Sequence, residues 1–319
     1  MSNEVALISE GFLGSCWYGN YHYLEPWIGC NNDCIYCYAR ARGTVKNSLE
    51  RFQDKAFAHP RPLYSDHEEL CTKIKSEISK HTAKTLKLCR YTDFFTPSMQ
   101  QENLPAKILQ TICEETSVQR IIITTKCCPD QNSIEIMKRF PEHFSMNLAL
   151  LPREDHLLMP SLKMDEALEQ KMLTTAKMIQ DLGVKTTIHL DPISFSVISK
   201  SAQWESFLAK IRSAGLSRVM FSYLVLDPNI MEEISKTISK DYSEELFSLF
   251  DFTKAFDYDY TDESLWYMKQ EIRQQHLEMI SSLLTKLEFD FTLCSLKSAK
   301  GGVDAKKAAC RVCNGDFYA

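Results

Sequence analysis

Six short runs rich in β-branched, aromatic and other apolar residues, at 21–28, 86–91, 120–125, 145–150, 185–190 and 218–223, punctuate this chain. The gaps between them are long enough for a helix each, and that alternation constrains the fold more than any other feature. Strands separated by helix-length crossovers predict parallel βαβ units. Several helical stretches carry their own ends. Ser65-x-x-Glu68 reads as a capping box that opens a helix reaching about residue 80. Gly183 and Gly215 fall where left-handed C-caps would close helices at 164–182 and 203–214. Six units are too few for a closed eight-stranded barrel and suit an open, three-quarter one. A helical stretch at 263–286 and a short β-like run at 289–293 follow. The expectation is an α/β chain: a partial (β/α)6 TIM-like barrel over 1–225, then a mainly helical extension over 226–319.

Composition narrows the chemistry. With 319 residues, 44% of them hydrophobic, and only 10 Gly and 11 Pro, the chain is neither disordered nor fibrous and has ample apolar residues for a core. No apolar run approaches the ~18 residues of a membrane span, so no membrane partner is expected. The start shows no basic-then-apolar leader. The 12 cysteines therefore point to metal or redox use in a reducing cytoplasm rather than to a disulfide scaffold. A net charge of 37 − 42 = −5 argues against coating nucleic acid non-specifically. Residues 227–263 hold 11 acidic side chains against 3 Lys, while 296–311 hold 5 basic against 1 acidic. Either these are solvated faces, or Lys297, Lys300, Lys306, Lys307 and Arg311 meet an anionic substrate.

The cysteines cluster at both ends. Cys30, Cys34 and Cys37 form C-x3-C-x2-C directly after the first strand, and Cys294, Cys310 and Cys313 form C-x15-C-x2-C in the tail. Cys71 and Cys113 lie in helical patterns and read as small buried hydrophobes. Three thiolates on one tight loop can hold three corners of a [4Fe–4S] cluster and leave the fourth iron open. A closed zinc site wants a fourth ligand, and the nearest candidate, His22, falls inside the strand pattern. Gly29 and the run Asn31-Asn32-Asp33 supply the turn. A loop at that place opens at the C-terminal mouth of a barrel, where such folds do their chemistry.

The stretch Gly29-Cys30-Asn31-Asn32-Asp33-Cys34-Ile35-Tyr36-Cys37-Tyr38-Ala39-Arg40 resembles the radical S-adenosylmethionine (radical SAM) enzymes. Its ending, Tyr-Cys-Tyr-Ala-Arg, is similar to the branch that contains spore photoproduct lyase and the DNA repair photolyase-like proteins. The resemblance extends over about 20–225, through Cys89-Arg90-Tyr91-Thr92-Asp93 after strand two, Thr125-Lys126 after strand three and Ser145 in strand four. It implies a SAM-binding [4Fe–4S] cluster on Cys30, Cys34 and Cys37, with S-adenosylmethionine chelated at the open iron. It also implies one-electron cleavage to a 5′-deoxyadenosyl radical and a reductant such as flavodoxin or ferredoxin. Tyr36 would lie near the adenine and Lys126 near the SAM carboxylate, with Asp93 and Ser145 as polar neighbours of the methionyl or ribose groups. Plainer readings are a solvated strand-end lysine for Lys126 and a helix N-cap for Asp93. The Gly-Gly-Glu run that many radical SAM enzymes place after strand two is absent here. Thr92-Asp93-Phe94-Phe95 takes its place, leaving Asp93 or a backbone carbonyl for the SAM amine.

The tail triplet reads as a second [4Fe–4S] cluster, as zinc with a distant His276 or His189, or as unrelated thiols; Cys16, Cys127 or Cys128 are candidate fourth ligands. Cys89, Cys127 and Cys128 are candidate hydrogen-atom donors. Cys89 stands one position out of step with the branch's spacing, which on a regular strand turns its side chain to the other face. His189, Asp191, Tyr91 and Arg153 are further candidates for the mouth. The substrate expected is a small molecule or peptide, undergoing epimerisation, dehydrogenation or rearrangement. The alternatives are a DNA lesion, with nucleic acid as partner, or a non-catalytic zinc module.

Overall fold

The computed structural model describes residues 6–10, 21–152, 165–194, 200–253, 256–257 and 264–293. Arg153, Cys16, Cys294, Cys310, Cys313 and the tail lysines and arginine lie outside the described residues. The strands are β1 (Ile8–Glu10), β2 (His22–Leu24), β3 (Trp27–Ile28), β4 (Arg61–Pro62), β5 (Thr85–Leu88), β6 (Arg120–Thr125) and β7 (Phe144–Ala149). They continue as β8 (Lys185–Ile193), β9 (Arg218–Tyr223), β10 (Val225–Leu226), β11 (Phe256–Asp257), β12 (Ser264–Tyr267) and β13 (Asp290–Leu293). Eight of them form one sheet in the order β1-β2-β5-β6-β7-β8-β9-β13. All neighbours are parallel except β1, which runs antiparallel to β2.

The six expected runs are thus all strands, adjacent in chain order. Helices α1 (Gly43–Leu49), α2 (His67–His81), α3 (Pro97–Gln101), α4 (Leu104–Glu115), α5 (Gln131–Arg139), α6 (Glu166–Asp181) and α7 (Ser201–Ser213) fill the crossovers. β6 reads Arg-Ile-Ile-Ile-Thr-Thr and every residue of β7 is buried, the pattern of strands covered on both faces. The sheet and its helices enclose one continuous apolar core. Cys71 lies buried in α2, and Cys113, in α4, is half-buried.

Four local expectations shift. The first run breaks at Glu25-Pro26, because proline cannot donate to the ladder. Its second half becomes β3, which pairs antiparallel with β4 instead of joining the main sheet. The cap of α2 is Asp66, not Ser65: its side chain accepts from the amides of Glu68 and Glu69 at 2.8 and 3.3 Å. The helix expected over 263–286 begins only at Gln270, as α10 (Gln270–Lys286), since Ser264–Tyr267 pairs with β10 and β11. The run near 289–293 is β13, a further parallel strand beside β9. The chain after 225 therefore also builds α8 (Pro228–Thr237) and α9 (Lys240–Ser248) before returning to the sheet edge. No helix among the described residues is long and apolar enough to cross a membrane.

Candidate active site

The cysteine loop begins where β3 presses against the segment before β4. Gly29 has φ +90°, and a Cβ on it would lie 2.7 Å from the Phe57 carbonyl oxygen and 2.9 Å from that of His59. Only glycine tolerates both the backbone angle and the approach. The next amide, of Cys30, donates to that same Phe57 oxygen at 2.8 Å. Asn31 then ties the loop to the segment after β5. Its Oδ1 accepts from Thr96 Oγ1, Ser98 N and Ser98 Oγ at 3.0, 3.0 and 2.7 Å, and its own amide donates to Thr96 Oγ1 at 3.0 Å. Asp33 turns the chain at φ 49° and pairs with Arg40. The Cys37 amide closes the far end on the Cys34 carbonyl at 3.1 Å.

Asp93 lies at the centre of this network. It is buried, and its four acceptor sites are all occupied. Oδ1 takes the Phe95 amide at 2.9 Å and the Thr125 hydroxyl at 2.7 Å; Oδ2 takes Asn32 Nδ2 at 2.9 Å and the Lys126 amide at 2.7 Å. One carboxylate thus joins the cysteine loop, the end of β5 and the end of β6. Charge-assisted bonds of this kind are roughly twice as strong as neutral ones. The plain capping reading of Asp93 is not met: the Phe95 bond closes a local turn, and the N-cap of α3 is Thr96. With four protein donors already on it, the carboxylate orients the loop and has no spare oxygen for a SAM amine.

The electrostatics separate the thiols from their surroundings. Burial pushes Cys34 up to about 11, against the pull of Lys126. It raises Cys30 further, helped by Asp93 and Cys34, and it raises Cys37 despite the Ala39 amide and Lys126. For Lys126, burial pulls the other way, but Cys34, Asp191, Asp93 and Cys37 outweigh it and hold the ammonium above its ordinary value. Its Nζ lies 5.8 Å from the centroid of the Tyr36 ring, within cation–π range. The Tyr36 hydroxyl is raised by burial, then by Cys34 and Asp191.

The structure therefore brings Cys30, Cys34, Cys37, Tyr36, Asp93 and Lys126 together. Cys127 joins them: its thiol lies 3.1 Å from Asn32 Oδ1, and it is electrostatically coupled to Cys30. It therefore lies beside the first triplet. Cys128 is half-buried beyond it and accepts from Gln100 Nε2 through its carbonyl at 3.2 Å. Cys89 is buried and couples to Glu25 and Cys30. On the far side of the mouth, His189 Nε2 stands 3.8 Å from Asp191 Oδ2, and the Ser222 hydroxyl bonds Asp191 Oδ1. Tyr91 is half-buried and packs on Tyr38, with ring centroids 6.4 Å apart.

Ser145 is a correction. It is the second residue of β7, in register with Ile122, while Thr125 pairs with Leu148. At about 3.3 Å per residue it lies roughly 13 Å below the level of Lys126. There its hydroxyl accepts from Arg120 Nη1 at 3.4 Å. A strand can present only its C-terminal end to the mouth, and the Ser145 position is at the wrong end. Two residues escaped the sequence reading. Asn147, paired with Thr124 two residues before Lys126, is buried with its Oδ1 lacking a hydrogen-bond partner. Glu25, at the end of β2, is held by burial at about 8 although the Arg90 and Tyr91 amides donate to it. A polar residue in the C-terminal half of an apolar strand run, or directly after it, was the available signal for both.

Among the described residues no three His, Cys, Asp or Glu side chains converge to hold a single metal ion, the loop thiols included. An iron–sulfur cluster takes each thiolate on a different iron, so it needs donors spread around a loop. The residues fit such a group. Three thiols costly to ionise, two of them buried and Cys37 half-buried, with a cation beside two of them, are relieved by a metal that binds the thiolate form.

No family model matches the chain, and no curated protein matches it in sequence. Solved structures do. A double variant of spore photoproduct lyase with bound AdoMet and dinucleoside spore photoproduct superposes with a TM-score of 0.62 at 12% identity, over 85% of this chain and 75% of that one. A cysteine-to-serine variant gives 0.63 at 11% identity, over 84% and 74%. Spore photoproduct lyase complexed with dinucleoside spore photoproduct gives 0.61 at 11% identity, over the same shares. The chain has the fold of spore photoproduct lyase.

Proposed function

We propose that this chain is a radical SAM enzyme, with Cys30, Cys34 and Cys37 holding a [4Fe–4S] cluster and S-adenosylmethionine in the mouth beside it. The observation that carries the reading is the Asp93 junction. It locks a three-thiol loop to the Lys126 strand end, in a fold shared with an enzyme whose solved structure contains AdoMet. A cluster held by these thiols would supply, with an electron from a reductant, reductive cleavage of the SAM sulfonium to methionine and a 5′-deoxyadenosyl radical competent to take a hydrogen atom from the substrate.

The chain's residues supply position and charge. Lys126 keeps its ammonium for the SAM carboxylate, and Tyr36 offers a ring beside it. Asn147 Oδ1, which has no protein partner, offers an acceptor for the amine in place of Asp93. The buried thiol of Cys89 suits return of a hydrogen atom, whereas that of Cys127 is engaged with Asn32. The reductant is a small carrier of the flavodoxin or ferredoxin type in a reducing cytoplasm. Cys294 follows directly on Leu293, the end of an edge strand, and with Cys310 and Cys313 it is assigned to a second cluster.

For the substrate, the tail cysteine triplet and the net acidity favour a small molecule or peptide. A dinucleotide-type DNA lesion gains support from two observations. The structural neighbours carry a dinucleoside photoproduct. In addition, the Arg90 guanidinium lies between the Tyr23 and Tyr91 rings, 5.2 and 4.9 Å from their centroids, beside an exposed Tyr38; such surfaces stack bases.

Anaerobic reconstitution tests the core reading. A brown protein with about four irons is expected from one cluster and about eight from two. Replacing Cys30, Cys34 and Cys37 by Ala is expected to abolish 5′-deoxyadenosine formation under reduction; product that persists removes the proposal.

A further inference from the structure

The last register pair of β2 and β5 is Leu24 with Leu88. One step on, the Cys89 amide still donates to the Leu24 carbonyl at 2.9 Å, but the chain then leaves the sheet, because Cys89 has φ 61°. That left-handed angle is strained for any residue with a side chain. Such outliers persist only where neighbours over-determine them. Here the restraints are explicit. The amides of Arg90 and Tyr91 both donate to Glu25 Oε1, the second at 3.3 Å. Tyr38, next to the cluster-loop Cys37, donates its hydroxyl to the Arg90 carbonyl at 2.6 Å.

We propose that Glu25 is a positioning residue: through the Arg90 and Tyr91 amides, it holds the left-handed turn that fixes the Cys89 thiol beside the cysteine loop. The functional value of that placement rests on the radical SAM reading above; the placement itself does not. The turn also resolves the register offset of Cys89. A regular strand would aim its side chain to the other face, whereas the turn carries the thiol to within electrostatic reach of Cys30 and Asp93. A surface turn could be capped by an exposed Asn or Asp. This one uses a carboxyl whose second oxygen, Oε2, is buried with no hydrogen-bond partner, an arrangement that costs stability and so calls for a reason of its own.

The test is the alkylation rate of Cys89 by iodoacetamide on the anaerobically reconstituted full chain. It is read by peptide mass spectrometry against Cys113 as internal reference. Glu25→Ala is expected to speed Cys89 about tenfold relative to Cys113, as the turn opens locally. Glu25→Gln is expected to stay near wild type, since its carbonyl oxygen accepts the same two bonds. Glu25→Asp keeps the carboxyl group but withdraws its oxygens by one methylene; it is expected to follow Ala, and it serves if Ala fails to fold. An unchanged Cys89 in Glu25→Ala, or a Gln variant as reactive as Asp, overturns the proposal. The readout does not use SAM cleavage. A chain that makes no 5′-deoxyadenosine yet shows the Glu25-dependent protection removes the enzyme reading and leaves this one.

Discussion

Two buried carboxylates stand at the mouth, one on each side of the cysteine loop, and they are wired differently. Asp93 is saturated: four donors from three segments converge on two oxygens. Glu25 takes two amides on one oxygen and leaves the other bare, and burial without full compensation holds it at about 8. A fully bonded buried charge rigidifies what it touches, while a half-bonded one keeps a proton within reach of neutral pH. The Asp93 side is therefore the fixed half of the mouth and the Glu25 side the responsive half.

The strongest way to break this contrast is Asp93→Asn. An amide nitrogen in place of Oδ1 or Oδ2 would point a donor at two donors and leave them unpaired. Destabilisation of about 2–4 kcal/mol is expected in urea unfolding, with iron content falling. Loss below about 1 kcal/mol would show that the junction is not holding the loop.

Glu25 sharpens the contrast through pH. Its folded value of about 8 exceeds the ordinary 4.5, so between these limits the folded chain binds a proton that the unfolded chain has released. Stability from this group is full below pH 4.5 and is lost as pH rises through 8. The loss is on the order of 5 kcal/mol at most, from 8 − 4.5 = 3.5 units at about 1.4 kcal/mol each. Glu25→Gln is expected to flatten that slope in melting temperatures measured from pH 5 to 9, and a slope equal to wild type would contradict the assignment. The smallest effect is expected from Ser145→Ala, at the far end of β7, where SAM affinity should stay within about twofold. A tenfold loss would mean that the SAM site reaches down the strand.

Much of this was legible in the chain. Apolar runs at crossover spacing gave the parallel order, because strands covered on both faces must be apolar throughout. The C-x3-C-x2-C spacing with Gly29 gave the loop, since three thiols within eight residues can share one group. Lys126 was expected near the loop from the resemblance at Thr125-Lys126, and its ammonium lies 5.8 Å from the Tyr36 ring centroid. Ser145 was misplaced because a motif match carries no register. Asp93 was assigned to ligand binding because a sequence cannot count the donors around a carboxylate. Glu25 passed unnoticed before Pro26, and β13 passed as an appendage.

The sequence by itself determined the fold class, the strand order and the thiol loop, because periodicity and short-range spacing are local properties of a chain. The tertiary structure alone decided which end of β7 meets the loop, which carboxylate is saturated and where Cys89 points. Those facts depend on register across strands and on one left-handed turn, and both are set by contacts between residues some 30 to 65 positions apart, such as Asn32 and Thr125 on Asp93 and Glu25 on Arg90.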